Sequence, residues 1–464
     1  MELDPLFLSR LQFAFVVSFH AIFPVFTIGL ASFIALLKTL YLLRKDPVYD
    51  DLSVFWTRVF AVVFGMGVVS GIVMSFQFGT NWSVFSYAAA NFIGPVISYE
   101  VLTAFFLEAV FLGVLLFGRG RVPAGVHLFA AIMVAVGTMV SSFWILSVNS
   151  WMQTPAGVNF ENGLFHVQSW SEAIFNPSLA YRLPHVLLAS FLTGAVVVLG
   201  VSAWFLRQGR QRQLFLPAMR MAVLMLAVAA PLQLLVGDEH GRNTLAHQPE
   251  KIAAIEGIWE TERGVPLLLF AIPDQSAERN LFEIGIPHGA SLILTHDPDG
   301  ELRGLKEWPA AERPPVFPVF WSFRVMVGIG VILIIMGAWG VWRMARGRLG
   351  EDSLYLRLAS WSIPLPFIAV LAGWFVTEIG RQPWVVYGMM NHAEALTPSL
   401  TGPMALVSLL GYLAVYALVF VTGLFTLKRV IQAGPEAGGG GDLYAHAKRP
   451  LAMAGQRSAA GEGQ

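Results

Sequence analysis

Nine stretches of this 464-residue chain are apolar for about 18 residues or more, the length that a helix needs to cross the hydrocarbon layer of a membrane. Backbone polar groups find no water there, so a spanning segment must be a helix or part of a closed barrel. The stretches are far too long for barrel strands. They predict an all-α polytopic membrane protein with helices near 12–43, 54–76, 92–117, 125–149, 184–206, 217–237, 317–343, 359–379 and 402–427. Composition agrees, with 56% hydrophobic and only 13% charged residues. The N-terminal stretch, Met1 to Arg10, carries Glu2 and Asp4 in place of a basic leader, so the first span is expected to stay in the protein.

Charge in the short connections orients the bundle. Lys38, Arg44, Lys45 and Arg58 lie in or beside the connection joining the first two spans, Arg119 and Arg121 follow the third, and Arg207, Arg210 and Arg212 the fifth. Arg343, Arg346 and Arg348 follow the seventh, and Lys428 and Arg429 end the ninth. The alternate connections hold only Arg182 and Arg381, apart from one long mixed-charge loop. The positive-inside rule therefore predicts an N-terminus outside and a C-terminus in the cytoplasm. The chain divides into six helices over 1–237, an outer loop over 238–315, three helices over 316–433 and a polar, Gly-rich tail over 434–464 that reads as disordered.

Lys plus Arg equals Asp plus Glu at 30 each, and no basic run suggests nucleic acid. Cysteine is absent, which excludes disulfides, thiolate metal sites and covalently attached haem. Against this background five ionisable groups inside or at the edges of spans stand out: His20, Glu100, Glu108, His185 and Glu378. A charge in mid-bilayer costs at least about 2.5 kcal/mol, so such groups normally face a cavity, a cofactor or a proton path. Reckoned from the predicted orientation, they share one layer in the outer half with Met326. Glu100 and Glu108, eight residues apart, fall about 80° apart on a regular helix, which suits a proton relay or a metal site. Arg324, about eight residues into the seventh span, needs an anion such as a carboxylate or a haem propionate.

The outer loop runs from Asp238 to Pro315. Within it Ile252, Ile255, Ile258 and Trp259 recur at helical spacing, predicting a short amphipathic helix on the membrane surface over Pro249 to Glu260. Two other classes remain open on spacing alone. A proton-coupled secondary transporter would explain buried acids, although no repeat is visible; a copper-containing haem oxidase would need clustered histidines, whereas only His20 lies deep in a span.

Several motifs in order along the chain carry a resemblance. They are Ser9-Arg10-Leu11-Gln12-Phe13-Ala14 leading to His20, Phe76-Gln77-Phe78-Gly79-Thr80-Asn81-Trp82, Phe105-Phe106-Leu107-Glu108 and Trp151-Met152-Gln153. Gly237-Asp238-Glu239, Ala253-Ala254-Ile255-Glu256, Phe323-Arg324-Val325-Met326 and Gly373-Trp374-Phe375 through Glu378 to Gly380-Arg381-Gln382-Pro383-Trp384 follow. Together they resemble subunit I of cytochrome bd-type quinol oxidases. The resemblance implies nine spans in a bacterial cytoplasmic membrane, oxidation of quinol outside, and reduction of dioxygen to water with cytoplasmic protons and without pumping. It implies His185 and Met326 as axial ligands of a low-spin haem b. His20 and Glu378 would ligate a high-spin haem b and a haem d or further haem b. Glu100, Glu108 and Trp374 would serve proton and electron transfer, Arg10, Arg324 and Arg381 would meet propionates, and Lys251 and Glu256 would meet quinol. A spacing of five turns the last two about 140° apart on a straight helix. Partners implied are a subunit II and, in some members, a small single-span subunit. The loop resembles the short-loop branch, in which haem content varies.

Overall fold

The computed structural model describes residues 3–351 and 353–435, so the expected disordered tail lies outside the described residues beyond Pro435. In chain order α1 spans Pro5–Arg44, α2 Pro47–Thr80 and α3 Ser83–Glu100; a π-helical turn, Val101–Phe105, then leads straight into α4, Phe106–Phe117. Next come α5 (Ala124–Gln153), a hairpin of β1 (Val158–Glu161) and β2 (Leu164–Val167), α6 (Trp170–Ile174), α7 (Leu179–Arg207) and α8 (Arg212–His247). The long connection holds α9 (Pro249–Glu256), β3 (Glu262–Arg263), β4 (Leu267–Asp274), β5 (Arg279–Ile286), α10 (Gly289–Thr295) and β6 (Glu301–Leu302). The last third holds α11 (Val316–Ala345), α12 (Leu354–Trp361), α13 (Pro364–Ile379), β7 (Trp384–Val386), β8 (Met390–Asn391), α14 (His392–Ala395) and α15 (Gly402–Ala433).

Among the described residues eight helices are long and apolar enough to cross a membrane, and nine if α12 and α13, bent by 43° at their junction, form one span. The protein is thus a helical polytopic membrane protein with eight to nine spans. Pro364 opens α13 at its first position, where a missing N–H costs nothing, and this sets the bend. Among the described residues, strands occur only as four two-stranded antiparallel pairs in the connections. The bundle closes around Trp56, Phe33, Phe55, Phe205, Phe215 and Tyr355, all buried. At one contact Gly29 of α1 meets Gly194 of α7 backbone to backbone; a Cβ on Gly29 would lie 2.1 Å from the Ser190 carbonyl oxygen.

Three expectations are corrected. The loop does not begin at Asp238, because α8 continues as helix to His247 and only then does Gln248 leave it. The predicted surface helix exists as α9, ended by Gly257 in the left-handed conformation at φ 72°, but Glu250 to Glu256 are all buried. Its isoleucines pack with Val316, Val319 and Val376 of α11 and α13, so the amphipathic pattern marks a face turned inward to the bundle. The third correction concerns α3 and α4. A π turn admits one extra residue, so eight residues rotate about as far as seven do in an α-helix. Glu100 and Glu108 then differ by about 20° in place of 80°.

Candidate functional site

Glu378 ends α13 amid polar groups drawn from four elements. Arg381, three residues on, turns back and donates to Oε2 at 2.5 Å, and Asn149 of α5 donates to Oε1 at 2.9 Å. Arg182 of α7, itself 5% exposed, donates to Asn149 Oδ1. Lys251 of α9 reaches in beside Gly380, where a Cβ would meet its Cγ at 2.9 Å, and donates to Gln153 and Gln248, both at 2.6 Å. Burial first, then Arg182 and Arg381, hold the Lys251 ammonium well below the usual lysine range, while Glu378 and Glu250 oppose them. Three buried basic side chains, two of them guanidiniums, therefore surround one carboxylate. Arg381 Nη1 and, on the neighbouring α1, Arg10 Nε are buried without partners, and Arg10 donates from Nη2 to Gln382. Surplus buried positive charge with unspent donors suits anionic groups such as haem propionates.

His20 lies on α1 beside Ser70 of α2. The Ser70 hydroxyl donates to the Gly67 carbonyl at 2.9 Å, so it accepts from His20 Nδ1 at 2.9 Å. That bond fixes the proton on Nδ1 and leaves the Nε2 lone pair for a metal, the usual arrangement for ligating histidine. Gly71 faces the ring, and a Cβ there would sit 3.0 Å from His20 Cε1. His185, near the start of α7, has a buried Nδ1 with no partner. Its ring meets that of His240 from α8 at 5.3 Å between centroids, with Gly237 alongside. Met326 of α11 presents its sulfur to Gly373 of α13, where a Cβ would lie 3.0 Å away. Trp374 sits one turn before Glu378 on that helix. An imidazole with a fixed tautomer, a second with an orphaned nitrogen, a thioether and a carboxylate form a donor set that fits haem iron. No group of three or more His, Cys, Asp and Glu gathers among the described residues, as a copper site would require.

Glu100 accepts from the Ser141 hydroxyl of α5 at 2.7 Å. Glu108 is 7% exposed and packs on Gly137 of the same helix, where a Cβ would meet Glu108 Cγ at 2.7 Å. Both carboxylates thus turn toward α5, as the π turn requires.

Arg324 finds its anion within the chain. It pairs with Glu256 at 3.2 Å and donates to the Leu268, Ile255 and Phe320 carbonyls. Burial raises the Glu256 carboxyl above the ordinary range, and Arg324 opposes the rise. Lys251 and Glu256 therefore face different neighbours, Gln153 and Arg324, as their spacing implies. Arg182 and His240 lie beyond the predicted span boundaries, and Asn149, at the end of its span, carries no charge to mark it. An arginine three residues before His185, at the edge of an apolar run, is the available signal for Arg182. Replacing Glu256 by Ala would leave Arg324 buried and unpaired, at a cost of about 3–5 kcal/mol. If Glu256 meets quinol, as the resemblance implies, Glu256→Gln keeps the shape and is expected to raise the quinol KM about tenfold, the worth of one charge-assisted hydrogen bond. Steady-state quinol oxidation checks this, and an unchanged KM removes Glu256 from the substrate site.

Fold and site together define a polytopic membrane protein with buried ligands suited to haem. The sequence profile for cytochrome bd terminal oxidase subunit I matches residues 8–435, and the chain belongs to that family. It is 36% identical over 445 residues to cytochrome bd ubiquinol oxidase subunit 1 of Bacillus subtilis (strain 168), covering 94% of this chain and 95% of the relative. It is 33% identical to cytochrome bd-II ubiquinol oxidase subunit 1 of Escherichia coli (strain K12), covering 94% of this chain and 98% of that one. That alignment runs to 504 positions, longer than this chain, so the relative carries inserted residues. Among solved structures, the bd oxidase from Geobacillus thermodenitrificans superposes with a TM-score of 0.88 at 30% identity, covering 94% of this chain and all of that one.

Proposed function

We propose that this chain is the haem-bearing subunit of a quinol:oxygen oxidoreductase, in a multi-pass arrangement with its N-terminus outside and its C-terminus in the cytoplasm. The observation that carries the reading is the Glu378 cluster: one carboxylate at the end of α13, held by Arg381 and Asn149 and surrounded by Arg182 and Lys251. Haem bound here would supply one-electron transfer and an iron site for dioxygen. His185 and Met326 would hold the low-spin haem b; His20 and Glu378 would each hold one further haem, a high-spin haem b and a haem d or further haem b. Arg10 and Arg381 would neutralise propionates, and Arg324 would do so if released from Glu256. Trp374 would stand between haem centres.

Quinol gives up protons as well as electrons when it becomes quinone. Glu256, at the far end of α9 from Lys251, would accept a hydrogen bond from a headgroup hydroxyl while Arg324 holds the carboxylate in position. Protons for water would come from the opposite face, passing Glu108 and then Glu100, whose Ser141 partner orients it. Consuming protons inside and releasing them outside charges the membrane without a pump. A subunit II, and in some assemblies a small single-span subunit, would cover the exposed apolar faces in the bacterial cytoplasmic membrane.

The test is a reduced-minus-oxidised visible spectrum of the purified protein, with haem extracted for type and count. Both b-type and high-spin signals are expected, with oxygen uptake on adding quinol; a protein free of haem would overturn the reading. A reporter fused after Lys428 is expected to be active only in the cytoplasm. Activity outside would reverse the topology and the proton argument with it.

A further inference from the structure

The loop between α8 and α11 shows a row of large apolar side chains to the outside. On the β4–β5 hairpin these are Leu269, Phe270, Phe282, Ile284 and Ile286, with Phe282 75% and Ile284 63% exposed. Leu292 and Ile293 of α10 extend the row. Isolated exposed apolar residues mean little, but a contiguous patch marks an interaction surface.

The hairpin's height follows from its bonds to α11. Its tip is tied to the beginning of that helix: the Val316 N–H donates to Gln275 Oε1 at 2.9 Å and Arg313 pairs with Glu278 at 2.6 Å. Lower down, Phe270 lies against Trp321, 5.2 Å between ring centroids. At the base Arg324 Nε donates to the Leu268 carbonyl at 2.8 Å. Leu268 is therefore level with a residue eight positions into α11, about 12 Å below its start.

Trp321 and Trp342 stand 21 residues apart on the same helix, about 31 Å of rise. That matches the hydrocarbon thickness of about 30 Å, and tryptophans favour its two boundaries. Trp342 is 52% exposed beside the basic inner residues. Trp321 then marks the outer boundary, with the hairpin tip above it and the hairpin base below it. Asp274, Glu278 and Arg279 cluster at the tip while Leu269, Ile284 and Ile286 occupy the base, with Glu283 the one charged side chain on the strands away from the tip. A register shift after Phe270 leaves Phe282 in the left-handed region at φ 55°, an outlay an L-residue with a bulky side chain rarely makes.

We propose that the base of the β4–β5 hairpin, with Leu292 and Ile293, is immersed in the acyl chains of the outer leaflet. The loop is then a membrane-inserted element, anchored a few ångström below the headgroups, and the Arg324–Glu256 pair behind it lies at lipid depth. The depth rests on the spans and the two tryptophans, the leaflet on the orientation proposed above, and neither depends on which residues bind quinol.

The chain has no cysteine, so single labels are clean. Ile284→Cys and, at the tip, Ala277→Cys are spin-labelled in the assembled oxidase in lipid nanodiscs without quinol. Collision with dissolved oxygen and with a water-soluble nickel chelate is then measured. The Ile284 label is expected to meet oxygen readily and nickel several-fold less than the Ala277 label does. Nickel access equal to that at the tip overturns the proposal, since the base would face water. Protection from both reagents also overturns it, since another protein surface would cover the hairpin. Leu269→Cys repeats the reading on the other strand if Ile284→Cys fails to assemble, with oxygen uptake confirming assembly.

Discussion

Met326→Leu is expected to abolish the low-spin haem signal while leaving the fold intact. Leucine conserves volume and apolarity, so a mere core methionine should lose less than about 1.5 kcal/mol and no spectral feature. Where the thioether is an axial ligand, its removal leaves His185 alone on that iron. The low-temperature reduced band should then shift to high spin or vanish, the midpoint potential of that centre should fall, and quinol oxidation should slow about tenfold or more. Electrons supplied artificially should still reduce oxygen through the His20 and Glu378 centres. Gly373 offers a companion variant, since a Cβ there would press on Met326 Sδ at 3.0 Å and should perturb the same band without touching the sulfur chemically. An unaltered band in Met326→Leu would return the residue to the role of filler.

The second large effect is expected at Glu108. Glu108→Gln preserves the shape that Gly137 accommodates but cannot carry a proton, so oxygen consumption should fall about 100-fold or more. Reduction of the haem centres by quinol without oxygen should continue, because the proposed reading gives Glu108 a part in proton delivery and none in electron transfer. Glu108→Asp should restore part of the rate. Stopped-flow reduction beside steady-state oxygen uptake separates the two steps, and a variant consuming oxygen at the parent rate would remove Glu108 from the proton path.

The spans were legible because bilayer length and apolar composition dictate them with few alternatives. Even the bent pair α12–α13 was counted as one span, although its kink at Pro364 was not foreseen. What hydropathy does not encode is the reach of a helix past the apolar layer. For that reason His240 and Arg182 were read as loop residues although both lie on helices that continue beyond the hydrophobic boundary. The amphipathic pattern of α9 was correct as a pattern and wrong as a location. Periodicity reports that a face will be covered, and α11 and α13 cover it in place of lipid. Nothing in the sequence flagged the lipid-facing role of β4 and β5, whose alternation is blurred by the register shift at Phe270.

The π turn at Val101–Phe105 bears on which length changes this region can survive. Eight residues that rotate like seven hold the two glutamates on one side; removing one residue from the turn would let an ordinary α-helix of seven deliver the same phase. Adding a residue would instead swing Glu108 by about 100° away from Gly137. The segment thus behaves as an insertion already absorbed, open to shortening by one and closed to lengthening, and a chain built with the shorter version would keep both acids facing α5 while losing about one residue's rise between them.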